Sequence, residues 1–175
     1  MKKIVFVGGI HGVGKTCLCK EISKEFDTPH FSASDLIRKQ KEEEARSVKN
    51  VTDVKGNQDA LIMAINKFVT DILVFLLDGH FCIINKEGKV ERIPQDTFER
   101  MEISCLLVLI DDPEEIQKRL KKRDSRDYSI DLLDKFQTEE LEYARQLSET
   151  LMLPLLIHKN REDKDKLYDF LNKYI

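Results

Sequence analysis

The stretch that decides the fold of this 175-residue chain is KIVFVGGIHGVGKT, residues 3–16. Residues 3–7 form a largely apolar run rich in β-branched side chains, which is typical of a strand buried on both faces. Residues 8–14 are rich in glycine, and residues 15–26 then show the four-residue apolar spacing of a helix. The pattern therefore predicts a buried strand, a glycine-rich turn and a helix in direct succession.

The glycine-rich turn carries a phosphate-binding motif. Residues 9–16 fit G-x-x-x-x-G-K-[ST] at every position, in the strand–helix context that the motif requires. In such a loop, backbone N–H groups and the helix N-terminus face phosphate oxygens. Lys15 would place its charge on the β- and γ-phosphates, and the Thr16 hydroxyl would ligate Mg²⁺. We predict that ATP and Mg²⁺ bind at Gly9, His11, Gly12, Val13, Gly14, Lys15, Thr16 and Cys17.

The rest of the chain alternates apolar runs with helical patterns. Four further runs predict strands, at residues 29–32, 73–77, 105–110 and 154–157. Helical spacing predicts helices at residues 34–46, 57–71, 94–101, 113–123, 129–151 and 163–174. Short apolar segments on both sides of the turn-like residues 85–88 predict a small β-hairpin insertion. This alternation predicts an α/β protein with a five-stranded, mainly parallel sheet. Together with the phosphate-binding motif, it predicts a three-layer P-loop NTPase fold.

Length and composition exclude several classes of protein. The length suits a single domain over residues 1–175, and no apolar run approaches the ~18 residues of a membrane span. The chain also lacks the pattern of a signal peptide, so we expect a cytoplasmic protein without a membrane partner. A net charge of −3 argues against a nucleic-acid partner. Only Cys17 and Cys19 lie close together, which predicts reduced, buried thiols and no zinc site.

A second acid and two histidines are candidates for the same site. Asp78 follows a predicted buried strand, so it lies at the sheet edge that also carries the phosphate loop. It is either a ligand of Mg²⁺ or a turn-forming residue before Gly79. His80 is a candidate base or substrate contact. His11 is either a phosphate or substrate contact or an exposed side chain of the loop.

Residues 30–38, HFSASDLIR, resemble a segment of the adenylate kinase and nucleoside monophosphate kinase family. The family has Ser-Thr-Gly-Asp-Leu-Leu-Arg at this place, and the positions that match it are Ser32, Asp35, Leu36 and Arg38. The positions that depart from it are Ala33 and Ser34. The resemblance implies that Arg38 grips the monophosphate of the acceptor, a task suited to a bidentate guanidinium. The alternative is a helix cap followed by a solvated arginine.

One departure from the family concerns the acceptor. Asp78 and Gly79 match the start of the family's Asp-Gly-Phe-Pro-Arg run, but His80, Phe81 and Cys82 follow, so an acceptor-binding arginine is absent. The hairpin that comes next looks more like the archaeal-type adenylate kinases, which resemble this chain in an Asp-x-His step and a turn bearing Lys and Gly. This departure therefore speaks against AMP as the acceptor more than it speaks against the kinase fold.

An arginine-rich segment resembles the entry to the family's lid, which closes over ATP. Arg119 and Arg123 are four residues apart and share a helix face, and Arg126 follows. Such arginines neutralise charge on the transferred phosphoryl group and exclude water. The predicted lid, residues 119–130, is short and has no cysteine quartet for zinc. The alternative is an ordinary charged helix end.

Two weaker assignments complete the predicted site. Asn160 follows the last predicted strand, where the family has a loop that packs on adenine. Gln58 and Asp59 open a predicted helix, where they either read the base of the acceptor or only start the helix.

The sequence therefore predicts an ATP-dependent phosphotransferase of nucleoside monophosphate kinase type with a small phosphate-bearing acceptor. Its acceptor-binding part spans residues 32–70. The predicted catalytic residues are Lys15, Arg119, Arg123 and Arg126. The predicted acceptor contacts are Ser32, Asp35, Arg38, Gln58 and His80, and the predicted metal ligands are Thr16 and Asp78. The alternatives are a kinase of a non-nucleotide metabolite or an RNA end, and a regulatory ATPase that phosphorylates nothing.

Overall fold

A computed structural model describes residues 2–47, 56–85, 87–124 and 128–175 of the chain. The elements in chain order are β1 (Lys3–Gly8), α1 (Lys15–Glu25), β2 (His30–Ser32), α2 (Ala33–Ser47), α3 (Asn57–Phe68), β3 (Val74–Asp78), β4 (Cys82–Ile84), β5 (Val90–Arg92), α4 (Gln95–Glu99), β6 (Ile103–Ile110), α5 (Pro113–Asp124), α6 (Ile130–Thr150), β7 (Leu155–Lys159) and α7 (Asp165–Leu171). No helix within these described ranges is long and apolar enough to span a membrane.

Five of the strands form one parallel sheet in the order β2-β3-β1-β6-β7. The predicted α/β fold with a five-stranded parallel sheet is therefore confirmed. The first strand lies at the centre because its core residues, 4–7, are apolar on both faces and need cover from helices on both sides. Val7 lies opposite Asp78 in β3, so the two strands end level with each other. The loop after β1 and the residues after β3 thus share one edge of the sheet.

The predicted hairpin is also present, as the antiparallel pair β4 and β5. An aromatic cluster attaches its start to the central strand: the rings of Phe6, Phe81 and Phe98 lie with centroids 5.0–5.6 Å apart. All three side chains are buried, and burial of each contributes roughly 1.5–3 kcal/mol to folding. The cluster therefore fixes the hairpin beside the end of β1.

Several details differ from the sequence-based expectations. The strand β3 begins at Val74, and Leu73 before it is 73% exposed, so the predicted buried strand starts one residue later. The prediction of buried thiols was wrong for Cys17, which lies on the exposed face of α1; the other three cysteines are buried. Most of the predicted polar loop, residues 48–55, lies outside the described ranges, as does Lys86 in the hairpin turn.

Candidate active site

The predicted phosphate loop connects β1 directly to α1. Gly14 caps the helix at φ 108°, a left-handed conformation that favours glycine. Gly9 also has a positive φ, 143°, and a Cβ there would lie 2.6 Å from the carbonyl oxygen of Leu109 in β6. Any side chain at position 9 would therefore force the loop away from the sheet. The two glycines let the backbone turn tightly at the helix N-terminus, where N–H groups can face an anion.

Lys15 lies in the concavity of this loop and is only 7% exposed. Its Nζ donates hydrogen bonds to the carbonyl oxygens of Gly9 and Ile10, at 2.7 and 3.2 Å. Burial lowers the pKa of Lys15, and the negative charges of Asp78 and Glu140 act in the opposite direction. The ammonium group is thus held by the loop at the place where the motif puts phosphate oxygens.

Thr16 and Asp78 meet at the edge of the sheet. The Thr16 hydroxyl donates a hydrogen bond to Asp78 Oδ2 over 2.8 Å. Burial alone would raise the pKa of Asp78, but His30, Lys15 and Thr16 together hold it below its usual value. The carboxylate is therefore ionised at neutral pH. A hydroxyl and a carboxylate at this separation are the oxygen ligands that Mg²⁺ prefers, so the two residues fit that ion.

His80 and His11 face each other beside the loop. Their ring centroids are 4.2 Å apart, and both residues line the cavity described below. Burial, followed by the charges of Lys15 and His11, lowers the pKa of His80 well below its ordinary value. The imidazole of His80 is therefore neutral at neutral pH. Its Nδ1 lies 4.0 Å from Glu140 Oε1.

Glu140 is a residue of the site that the sequence analysis missed. It lies in α6, is 1% exposed, and accepts hydrogen bonds from the backbone nitrogens of Gly9, Phe81 and Cys82 at 2.9, 3.0 and 2.7 Å. Burial raises its pKa to about 7 against the effect of these donors. A signal was present in the sequence, because an acid occupies the apolar stripe of a long helix four residues after Phe136.

A second group of polar residues supports the other side of the loop. Arg119 and Asn160 both donate to the carbonyl oxygen of Val13, at 3.4 and 3.1 Å. Both also contact the carboxylate of Asp111, which follows β6 and was not predicted. Burial favours a raised pKa of Asp111, but a backbone N–H and the Arg119 guanidinium bring it below its usual value. The loop is therefore held by hydrogen bonds from α5 and from the residue after β7.

A cavity of about 630 Å³ opens beside the loop and extends away from it towards α2 and α3. Cationic and histidine side chains line the end near the loop: His11, Lys15, His80, Arg119 and Arg123. The rest of the lining is mainly apolar and comes from Ala33, Ile37, Leu61, Ile83, Ile93, Phe98 and Met101, with polar groups from Ser32, Ser34, Asn57, Gln58 and Thr97. The cavity is large enough for a phosphate donor and a small acceptor side by side.

Only some of the predicted acceptor-binding residues line the cavity. Ser32 and Gln58 line the cavity, whereas Asp35 and Arg38 are not among the described residues that do. Arg38 Nη2 instead donates to Asp35 Oδ1 over 2.8 Å, with both side chains more than two-thirds exposed. Asp59 accepts a hydrogen bond from Arg100 at 2.6 Å. The predicted lid residue Arg126 lies outside the described ranges.

Comparison with known proteins identifies the family to which the chain belongs. Residues 8–137 match the AAA domain family. The chain is 27% identical to adenylate kinase isoenzyme 1 from Oryctolagus cuniculus over 139 residues, which cover 74% of this chain and 68% of the relative.

Among solved structures, a gluconokinase from Sinorhizobium meliloti 1021 superposes with a TM-score of 0.52 at 12% identity, covering 96% of this chain and 87% of the other. An uncharacterized protein from Eubacterium ventriosum also superposes with a TM-score of 0.52, at 15% identity, covering 100% and 98% of the two chains. At these identities the two structures show a shared fold.

Proposed function

Because the chain belongs to the AAA domain family and is a P-loop kinase, we propose that it transfers the γ-phosphoryl group of ATP to a small phosphate-bearing acceptor, in the first place a nucleoside monophosphate. The observation that carries the proposal is the cavity of about 630 Å³, which runs from the phosphate loop to α2 and α3. It offers a polar, cationic end for phosphates and an apolar end for a planar body such as a nucleobase.

In this proposal the loop binds the phosphates of ATP. Lys15 contacts the β- and γ-phosphates, and Asn160 follows β7 where it would lie near adenine. Thr16 and Asp78 would hold Mg²⁺, which supplies charge neutralisation across the phosphate oxygens when it is bound. Every other contribution comes from groups of the chain itself, which bind, orient and shield the two substrates.

The acceptor would lie over α2 and α3, within residues 32–70. Ser32 and Gln58 offer a hydroxyl and an amide to its polar atoms, and Ile37, Leu61 and Phe98 pack on its apolar body. For Arg38 to hold the acceptor phosphate, it has to leave Asp35. Breaking the pair costs little free energy, because an exposed ion pair contributes only about 0.2–1 kcal/mol.

Phosphoryl transfer then depends on positioning and on charge stabilisation. The nucleophile is a phosphate oxygen of the acceptor, which is already anionic and needs no base. Lys15, Arg119 and Arg123 line the end of the cavity where negative charge spreads over the γ-phosphoryl oxygens. We propose that Arg119 and Arg123 also exclude water from the transferred group, so that the acceptor rather than water receives the phosphoryl group.

A panel of nucleoside monophosphates incubated with ATP and Mg²⁺ tests this function. We expect formation of ADP and a nucleoside diphosphate with at least one member, and loss of that activity in Lys15→Ala. The proposal is wrong if no monophosphate is turned over. Hydrolysis of ATP that no acceptor diminishes would instead indicate a regulatory ATPase.

A second candidate, a kinase of an alcohol-bearing metabolite, has one observation in its favour. Among the described residues that line the cavity, the Lys and Arg are Lys15, Arg119 and Arg123, and none of them comes from α2 or α3. Neutral His80 could accept the proton of an acceptor hydroxyl as its oxygen bonds to the γ-phosphorus and the bond to ADP breaks. Sugars, polyols and nucleosides added to the same panel test this reading.

A further inference from the structure

Three side chains of metal-binding type come together at the end of β3. They are Cys19 on α1, His30 at the start of β2 and Asp78 at the end of β3. One ligand atom from each, a sulfur, a ring nitrogen and a carboxylate oxygen, lies within 4.8 Å of the other two. They converge because β2 and β3 are neighbours in the sheet and α1 packs against both.

A buried nitrogen of His30 without a hydrogen-bond partner among the described residues is a second observation that indicates a ligand at this cluster. Its Nε2 is buried and makes no hydrogen bond within the described part of the chain. The nearest acidic partner, Asp78 Oδ2, is 3.7 Å away, which is too long for a hydrogen bond. Buried ring nitrogens in native proteins almost always have a partner. A cation between His30 and Asp78 would satisfy both side chains at once.

The chemistry of the three atoms selects the kind of cation. Mg²⁺ takes oxygen ligands, whereas a thiolate, an imidazole and a carboxylate together suit Zn²⁺ and similar transition metals. Zinc bonds of about 2.0–2.3 Å in tetrahedral geometry separate neighbouring ligand atoms by roughly 3.3–3.7 Å. The 3.7 Å between His30 and Asp78 exceeds the roughly 3.4 Å expected of a nitrogen–oxygen pair by only about 0.3 Å. The sulfur of Cys19, which is within 4.8 Å of both, has to come closer by up to about 1.2 Å.

The surroundings are compatible with a divalent cation. The Lys15 ammonium donates its hydrogen bonds to the carbonyls of Gly9 and Ile10. The Thr16 hydroxyl is 2.8 Å from Asp78 Oδ2 and offers a further oxygen beside the site. Three protein ligands with a water molecule in the fourth position form the open type of zinc site.

We propose that Cys19, His30 and Asp78 form a binding site for a zinc-type cation, and that its occupation inhibits the kinase. On binding, the metal forms a bond to the Cys19 sulfur and the thiol proton passes to solvent. Asp78 is then a ligand of the transition metal and is withdrawn from Mg²⁺. Binding itself requires nothing of the proposed function, whereas the inhibition rests on the proposed role of Asp78.

Titration of the full chain with Co²⁺ alone, after treatment with a chelator, tests the binding. We expect one equivalent of Co²⁺ to produce the near-ultraviolet absorption of a thiolate–cobalt bond. Cys19→Ala should abolish that absorption, and His30→Gln should weaken Co²⁺ binding at least about 100-fold, because even the loss of an outer-shell partner costs about 10–100-fold. The control Cys17→Ser, which alters the exposed thiol two residues away, should keep the absorption.

Each contrary result overturns the binding site. Absence of a thiolate–cobalt band in the unaltered chain would do so, as would a band that survives Cys19→Ala or disappears in Cys17→Ser. If Cys19→Ala fails to fold, His30→Gln still decides the matter, because the thiol stays in place and unchanged Co²⁺ affinity contradicts the site.

The inhibition is measured separately, as kinase activity at fixed Mg²⁺ with increasing Zn²⁺. We expect Zn²⁺ to inhibit the unaltered chain, and Cys19→Ala to keep its activity with Mg²⁺ alone while tolerating at least about 100-fold more Zn²⁺. Equal Zn²⁺ sensitivity of the two proteins would overturn the inhibitory role. A cobalt band in a chain without any kinase activity would leave the metal site standing and refute the proposed function instead.

Discussion

The backbone nitrogen of Gly9 donates a hydrogen bond over 2.9 Å to the buried carboxylate of Glu140, 131 residues further along the chain. The same carboxylate accepts from the nitrogens of Phe81 and Cys82, where the hairpin begins. One side chain of α6 thus holds the first residue of the phosphate loop and the start of the hairpin together. The geometry of the loop therefore depends on a helix that is remote in sequence.

Replacement of this carboxylate should destabilise the fold. In Glu140→Ala three buried N–H groups lose their acceptor, and each costs about 1–3 kcal/mol when it is left unpaired. The substitution also removes a charge whose burial is unfavourable, which offsets about 3 kcal/mol of the lost stability. We expect a net loss of about 3 kcal/mol, the middle of a range of roughly 0–6 kcal/mol, in the free energy of unfolding, measured by urea denaturation at neutral pH.

Glu142→Ala is the matched control, because Glu142 is an exposed residue of the same helix, two positions away. It should change the free energy of unfolding by less than about 0.5 kcal/mol. A similar effect of both substitutions would show that helix propensity, and not the three hydrogen bonds, governs the result.

Stability should also depend on pH through Glu140. Its pKa in the folded protein is about 7, above the ordinary value of 4.5, so the folded state binds the extra proton between these pH values. The contribution of Glu140 to stability is therefore greatest below pH 4.5, and it is lost as the pH rises through about 7. Between about pH 5 and about pH 7.5 we expect the protein to lose about 2–3 kcal/mol relative to Glu140→Gln, which cannot titrate. If the free energy of unfolding changed with pH in the same way in both proteins, Glu140 would not have a raised pKa in the folded state.

Local patterns explain why much of this site could be predicted from the sequence. The loop of residues 9–16 and the helix after it are encoded by adjacent residues, and the loop was found from its spacing alone. The contact between Thr16 and Asp78 follows from one rule, that parallel strands end at a common edge. Both predictions needed only the order of strands and helices along the chain.

Other parts of the site could not be read from the sequence because they depend on three-dimensional packing. Glu140 serves backbone groups in two distant segments, and an acid within an apolar stripe does not reveal which donors it meets. Cys19 and His30 meet Asp78 only because α1, β2 and β3 pack together. The position of the Arg38 guanidinium depends on a rotamer and on Asp35, which spacing alone does not determine.

The carboxylate of Asp78 should determine the requirement for Mg²⁺. Asp78→Asn removes the negative charge but keeps an oxygen beside the Thr16 hydroxyl. Loss of even an outer-shell partner costs about 10–100-fold in metal affinity, so the Mg²⁺ concentration for half-maximal activity should rise at least about 10-fold. The control Asp71→Asn changes an exposed aspartate, and asparagine tolerates its positive φ of 59°. An unchanged Mg²⁺ requirement in Asp78→Asn would remove Asp78 from the metal site.

Arg123 should contribute to catalysis more than its neighbour does. It lines the cavity near the phosphate loop, whereas Lys122 is exposed and is not among the described residues that line it. Loss of one donor that stabilises the transition state costs about 10²–10³ in kcat, so Arg123→Ala should lower kcat by at least about 100-fold. Lys122→Ala should change kcat by less than about twofold. Comparable kcat values in the two variants would indicate an ordinary charged helix end.

The pair of Arg38 and Asp35 tests the nature of the acceptor. If Arg38 leaves Asp35 to hold an acceptor phosphate, Arg38→Ala should raise the KM for that acceptor about 10–150-fold, since a hydrogen bond to a charged group contributes about 1.5–3 kcal/mol. The KM for ATP should stay the same, because ATP binds at the other end of the cavity. Asp35→Asn weakens only an exposed ion pair and should change the KM for the acceptor by no more than about fivefold. An unchanged KM for the acceptor in Arg38→Ala would favour an acceptor without a phosphate, with His80 as the base.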